Sequence, residues 1–292
     1  MAKELTELQS ASFCEAKLGS MNYAPGLEAL ADRSVARTVS VSECRKFAWM
    51  LEARNIFIIS ENDLIGILLR QIFFENYGIF FYMIFDGIIL DVDGTIWDTT
   101  SIVADAWNIA IDNNFPKLEH VTAQILKDHF GKTMKTIADN LFSSLSEDEK
   151  YVLMEKCCQE EQKALHSNTK NITYKGVVET IENISRKIPV FIVSNCQKGY
   201  IEVVMEKNKI TSFITDFECY GNTGLNKDQN IALVIKRNNL KNAVYVGDTQ
   251  GDYDACKKAS IPFVWASYGF GKPDDENYLA KIENFSDLLK LI

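Results

Sequence analysis

From Tyr174 to Trp265 short apolar runs alternate with helical stretches, and no other feature of the chain constrains its fold as strongly. Helical periodicity covers Gly176 to Lys187, Lys198 to Lys209, Gln229 to Asn238 and Asp252 to Ala259, while strands are expected at Val190 to Val193, Phe213 to Phe217, Val244 to Gly247 and Pro262 to Trp265. Such alternation calls for a parallel sheet with helices on both faces and right-handed crossovers, a Rossmann-like α/β fold. A ligand then sits beyond the carboxyl ends of the strands.

One further strand precedes this region. Ile88, Ile89 and Leu90 run straight into Asp91, Val92, Asp93, Gly94 and Thr95, as a buried parallel strand does when it delivers polar groups at its end. Alternation puts Asp91 and Asp93 on one side of an extended chain, and Gly94 permits a tight turn. Two neighbouring carboxylates repel unless a cation lies between them. A hard divalent ion such as Mg²⁺, held by one or two carboxylates and a substrate phosphate, meets that need. A calcium loop is excluded, because it wants its glycine two places later and a glutamate where Ile102 stands.

The other strands end on polar groups as well. Ser194 and Asn195 follow Val193, Gly247 to Asp248 follow Val246 with Asp252 four residues on, and Lys227 opens a helix after the loop Gly221 to Leu225. Each alone reads as a cap, a turn or a solvated lysine. In this order, at one sheet edge, they fit phosphoryl transfer, which is catalysed mostly by positioning and electrostatics. Asp91 and Asp248 can hold Mg²⁺, Ser194 and Lys227 can bind phosphate oxygens, and backbone amides around Gly94 and Asn195 can cradle them. One carboxylate can attack phosphorus to form an aspartyl phosphate, and the other can move the proton.

The 292 residues, 47% hydrophobic, suffice for a sizeable core, and a net charge of -9 argues against a phosphate-backbone binder. Seven cysteines without a Cys-x-x-Cys pair point to reduced, mostly buried thiols and a cytoplasmic protein. His120, His129 and His166 are read as surface or packing residues in helical stretches, without ligand spacing. The N-terminus lacks the basic and apolar regions of a signal peptide. Charges at Glu61, Asp63, Arg70 and Glu75 break the apolar zone Ile56 to Phe85, so no membrane span is expected.

Residues 1–82 are expected to form an extension of unknown role, with helices at Lys3 to Lys17, Ser42 to Arg54 and around Leu64 to Ile72; a domain starting at Met83 would be complete for chemistry. Between Thr99 and Thr173 the periodicity is helical, with Ala104, Trp107, Ile111 and Phe115 in phase and a capping box at Ser146 and Glu149. This is an all-helical cap (99–173) inserted into a core formed by 83–98 and 174–292.

With DVDGT at Asp91 to Thr95, SN at Ser194 and Asn195, Lys227, and GDTQGD at Gly247 to Asp252, the chain resembles the haloacid dehalogenase superfamily. The nearest branch is that of phosphoglycolate phosphatase and beta-phosphoglucomutase, in which a helical cap follows the first motif. The resemblance implies Asp91 as nucleophile, Asp93 as acid/base and as a Mg²⁺ ligand through its backbone carbonyl, and Asp248 as a Mg²⁺ ligand. It further implies Thr95, Ser194, Asn195 and Lys227 as phosphate binders and Asp252 as a supporting acid. Asp228 and Gln229 after Lys227 depart from the proline-containing sequence of relatives.

The expected activity is Mg²⁺-dependent hydrolysis of a small phosphorylated metabolite, phosphoglycolate-like or a sugar phosphate, by a phosphoric monoester hydrolase. An intramolecular phosphotransferase of the beta-phosphoglucomutase type is the alternative, and a non-catalytic phosphate-binding or regulatory protein the second. In the cap, Lys132 beside Phe130 and Gly131 is a candidate reader of an anionic substrate. Gly269 and Gly271 resemble the loop after the last strand and do not form a nucleotide loop.

Overall fold

A computed structural model describes residues 85–292 of the protein. The expected extension and its helices lie outside the described residues. Six parallel strands, β1 (Gly87–Leu90), β2 (Val190–Ser194), β3 (Ile214–Cys219), β4 (Ala243–Gly247), β5 (Phe263–Ala266) and β6 (Ala280–Ile282), form one sheet in the order β3-β2-β1-β4-β5-β6. The chain leaves β1 toward β2 on one side and β4 on the other, so the crevice beyond β1 is the switch point at which such sheets bind ligands.

Alternate side chains of the central strands divide between two cores. Ile88, Leu90, Ile192, Val244 and Val246 pack with α5 (Val177–Ser185) and α6 (Tyr200–Asn208), whereas Ile89, Phe191, Val193 and Tyr245 pack with α7 (Lys227–Arg237) and α8 (Gln250–Ala259). The sheet is therefore covered on both faces, as the alternation requires.

Four helices, α1 (Thr100–Asn114), α2 (Ala123–Lys127), α3 (Met134–Leu141) and α4 (Glu147–Ser167), form the inserted cap around a third core of Val103, Trp107, Ile111, Leu126, Ile137, Leu153 and Cys157. The capping box is present: Ser146 Oγ accepts from Glu149 N–H and Glu149 accepts from Ser146 N–H at 2.8 Å. The two passages between core and cap run side by side, with Asp98 N–H donating to Ile172 O at 2.9 Å and Tyr174 N–H to Ile96 O at 3.1 Å.

The sequence reading misses β6, a three-residue strand behind the polar run Lys272 to Asn277 that has no apolar stretch of its own. It also places two histidines wrongly. His120 lies in a loop, where it meets Asp112 at 2.8 Å, and His129 in a turn after α2. Among the described cysteines, all free, only Cys158 is not buried. No helix among the described residues is long and apolar enough to cross a membrane.

The edge strand β3 is pinned by Arg237 at the end of α7, which contacts Asp216 at 2.5 and 2.7 Å and Glu218 at 2.8 Å. Partial burial works to raise the Asp216 carboxyl, but hydrogen bonds from Arg237 and Asn238 outweigh it and hold the group below the ordinary value. A depressed carboxyl stabilises the fold above its unfolded pKa and ceases to do so as pH falls through the folded one. Arg237→Ala should therefore lower stability at neutral pH by about 1 kcal/mol, a modest amount because the pair is partly solvated. The loss should shrink in acid, as the urea midpoint at the two pH values will show.

Candidate active site

β1 delivers Asp91 to the switch point, where its N–H donates to Val246 O at 2.9 Å. The chain then turns on Val92 O, which accepts from Ile96 N–H at 2.7 Å, and Gly94 adopts φ +80°. A Cβ on Gly94 would stand 2.1 Å from Asp248 Oδ2, so only glycine lets the turn approach that carboxylate.

The elements that follow bring distant residues to this turn. Lys227, the first residue of α7, extends its ammonium between Asp91 Oδ1 at 2.9 Å and Asp252 Oδ1 at 2.5 Å. Asp252 occupies the third position of α8, where its second oxygen accepts from Thr249 N–H at 2.9 Å and Thr249 Oγ1 at 2.7 Å. Asp248 accepts from Phe270 N–H at 2.7 Å and from Thr95 Oγ1 at 3.4 Å. Ser194 ends β2, buried beside β1, and Asn195 donates from Nδ2 to the cap carbonyl of Gly131 at 2.7 Å. Asn195 Oδ1 is buried and has no partner among the described residues.

Asp91, Asp248 and Asp252 are buried, and one carboxylate oxygen of each lies within 4.8 Å of the others. Burial pushes Asp91 up to about 6 against the pull of Lys227, and pushes Asp248 well above its usual range, with Asp252 and Asp91 adding to the shift. Burial alone would lower the Lys227 ammonium, but Asp252 and Asp91 hold it above the ordinary lysine value. One lysine faces three carboxylates. The donor set is hard oxygen with excess negative charge, which fits a divalent cation such as Mg²⁺.

Asp93 is not one of these three. Its Oδ1 accepts from Tyr200 OH at 2.7 Å, Thr99 Oγ1 at 3.0 Å and Trp97 Nε1 at 3.1 Å. Burial raises its carboxyl to about 7, against the hydrogen bond from Tyr200 and with the Asp91 charge assisting. The strand pairing stops at Leu90, so simple alternation does not carry both side chains to one point: the chain is already turning at Val92.

Sequence reasoning missed Trp97, Thr99 and Tyr200, which hold Asp93, and Phe270, whose amide holds Asp248. Thr99 lies six residues after Asp93, a spacing that a turn into a helix could have flagged. The pair Gly269 and Gly271, dismissed as a nucleotide loop, does bear on the site: a Cβ on Gly269 would stand 2.3 Å from Asp248 Cβ. Lys132 is exposed and donates to Asp128 O at 3.1 Å on its own turn.

The family of haloacid dehalogenase-like hydrolases matches residues 88–266, more than half of the chain, and the chain belongs to that family. No protein of curated function matches it. A predicted phosphoglycolate phosphatase from Haemophilus somnus 129PT is similar at a TM-score of 0.61 and 20% identity, over 71% of this chain and 97% of its own. A predicted phosphatase from Clostridium acetobutylicum gives 0.61 at 17% identity, covering 71% of this chain and 100% of that one. A beta-phosphoglucomutase from Clostridium difficile gives 0.59 at 18%, covering 70% and 93%. At such identities the likeness carries the fold alone.

Proposed function

We propose that the protein is a Mg²⁺-dependent phosphatase that hydrolyses a small phosphorylated metabolite through an aspartyl phosphate on Asp91. The observation that carries this reading is the convergence of Asp91, Lys227, Asp248 and Asp252 from three separated segments on one buried point. Within it, residues 83–98 and 174–292 act as the catalytic core and 99–173 as the cap that excludes bulk water.

Asp91 and Asp248 would hold the ion, with Asp93 contributing its backbone carbonyl and Asp252 supporting from behind. When bound, Mg²⁺ supplies positive charge against the phosphoryl oxygens. Asp91 attacks phosphorus while Lys227, Ser194, Thr95 and Asn195 bind the phosphoryl oxygens and keep them oriented. Asp93, whose carboxyl is raised to about 7 by its enclosure, gives its proton to the departing alcohol. It then takes one from the water that opens the aspartyl phosphate, and the cycle closes with Asp91 free.

Inorganic phosphate released from para-nitrophenyl phosphate should require Mg²⁺ and fall to background in EDTA. Mg²⁺ alone should raise the melting temperature, because an ion that binds only the folded state stabilises it. Turnover unchanged by EDTA, or a melting temperature that ignores Mg²⁺, would count against this assignment of the carboxylates.

A further inference from the structure

The two oxygens of Asp93 are treated unequally. Trp97 Nε1 at 3.1 Å, Thr99 Oγ1 at 3.0 Å and Tyr200 OH at 2.7 Å all meet Oδ1, whereas Oδ2 has no partner among the described residues. Asp93 also keeps some exposure, unlike Asp91 and Asp248, which are 1% and 0% exposed. The grip therefore leaves Oδ2 as the oxygen that a ligand can meet.

The kind of donor decides where a proton on this carboxyl resides. An indole N–H donates and never accepts, so the oxygen that faces Trp97 must offer it a lone pair. The phenol and the threonine hydroxyl carry one proton each, and their own contact at 3.1 Å lets Thr99 reinforce the phenol. A carboxyl whose Oδ1 already receives these donors carries its proton on Oδ2.

Among the three, Tyr200 has the shortest contact and a separate anchorage. Trp97 and Thr99 belong to the passage into the cap, but Tyr200 is the first residue of α6 in the core, 2% exposed and preceded by Gly199 at φ +90°. Its ring stands edge-on to that of Trp97, with centroids 5.7 Å apart, so the polar tips of both rings reach the same oxygen.

Resting on the phosphatase reading above, we propose that Tyr200 is a positioning residue for the acid/base carboxyl: by holding Oδ1 of Asp93 it fixes the rotation of the group and presents the proton on Oδ2 to the ester oxygen. In the first step the bond from Asp91 to phosphorus forms and the bond from phosphorus to the ester oxygen breaks. The electron pair left on that oxygen takes the Oδ2 proton, so the alcohol departs neutral and Asp93 is left as a carboxylate. An aligned proton matters in proportion to the basicity of the departing oxygen. The oxygen of an alkyl phosphate needs it, whereas para-nitrophenolate leaves without it. Tyr200 thus fits the site to phosphate monoesters of ordinary alcohols.

The test compares kcat/KM, which reports the steps up to departure of the alcohol, for the full chain with Mg²⁺ and its Tyr200→Phe variant. The substrates are a hexose phosphate, beta-glycerophosphate, phosphoglycolate and para-nitrophenyl phosphate. Tyr200→Phe keeps the ring and removes the hydroxyl. It should lower kcat/KM about thirtyfold for whichever alkyl ester the wild type turns over best, and less than about threefold for the aryl ester. Loosened packing would lower both alike. Thr99→Val removes a hydroxyl from the same oxygen on another element; it should shift the ratio in the same direction, and it decides the matter if Tyr200→Phe does not fold. A folded Tyr200→Phe variant that keeps the wild-type ratio, or a wild type that turns over the aryl ester and no alkyl ester, overturns the proposal while leaving the phosphatase reading intact. No turnover of any ester by the wild type overturns both.

Discussion

Asp91→Asn should abolish turnover of an aryl phosphate, by about a thousandfold or more, while the protein stays folded. The amide keeps the shape of the side chain but cannot attack phosphorus, so no covalent intermediate forms. Structure should survive because the exchange removes one of three buried carboxylates and leaves Lys227 paired with Asp252 at 2.5 Å. Phosphate release and a thermal melt, measured on the same preparation, settle the matter. A variant that keeps wild-type turnover cannot have lost its nucleophile, and another group would then have to be sought among the carboxylates.

Lys227→Met should act on both stability and activity. The ammonium is 4% exposed and lies between two carboxylates that are almost wholly buried. Removing one partner of a buried ion pair strands the other charges, at about 3–5 kcal/mol. The loss should show as a lower urea midpoint with an unchanged slope. Catalysis should fall as well, because the lysine is, among the described residues, the one cationic side chain in contact with Asp91. Mg²⁺ added to the variant should restore part of the lost stability by neutralising the same carboxylates. A variant as stable as the wild type would mean that the carboxylates take up protons instead and that Lys227 is not what compensates them.

The fold was legible wherever sequence carried a strong period. The apolar runs that became β1, β2, β4 and β5 are buried from both faces, so burial alone dictated their composition. β6 was not legible, because a three-residue edge strand needs few apolar side chains. The residues of the site that lie at strand ends were found for the same topological reason: in a parallel sheet the carboxyl ends share one edge. The groups that hold them were not. Tyr200 reaches Asp93 across 107 residues of sequence, and the Phe270 amide reaches Asp248 as a backbone group that no side-chain pattern can mark. The resemblance implies Asp252 as a supporting acid, and its oxygen stands with those of Asp91 and Asp248. Helical capping put it there, since the third position of α8 turns the carboxylate back toward Thr249.

The paired passages between core and cap have a mechanical meaning. Trp97 bridges Thr173, and the chain on either side of it is zipped to residues 172 and 174, so any swing of the four helices must flex this two-stranded ribbon. Trp97 and Thr99 ride on that ribbon and grip Asp93 with their side chains. Bending it to admit a substrate would loosen the grip on Asp93, the carboxyl proposed above as proton donor, and straightening it would tighten the grip again. Access and acid strength would then be set by one and the same flexure.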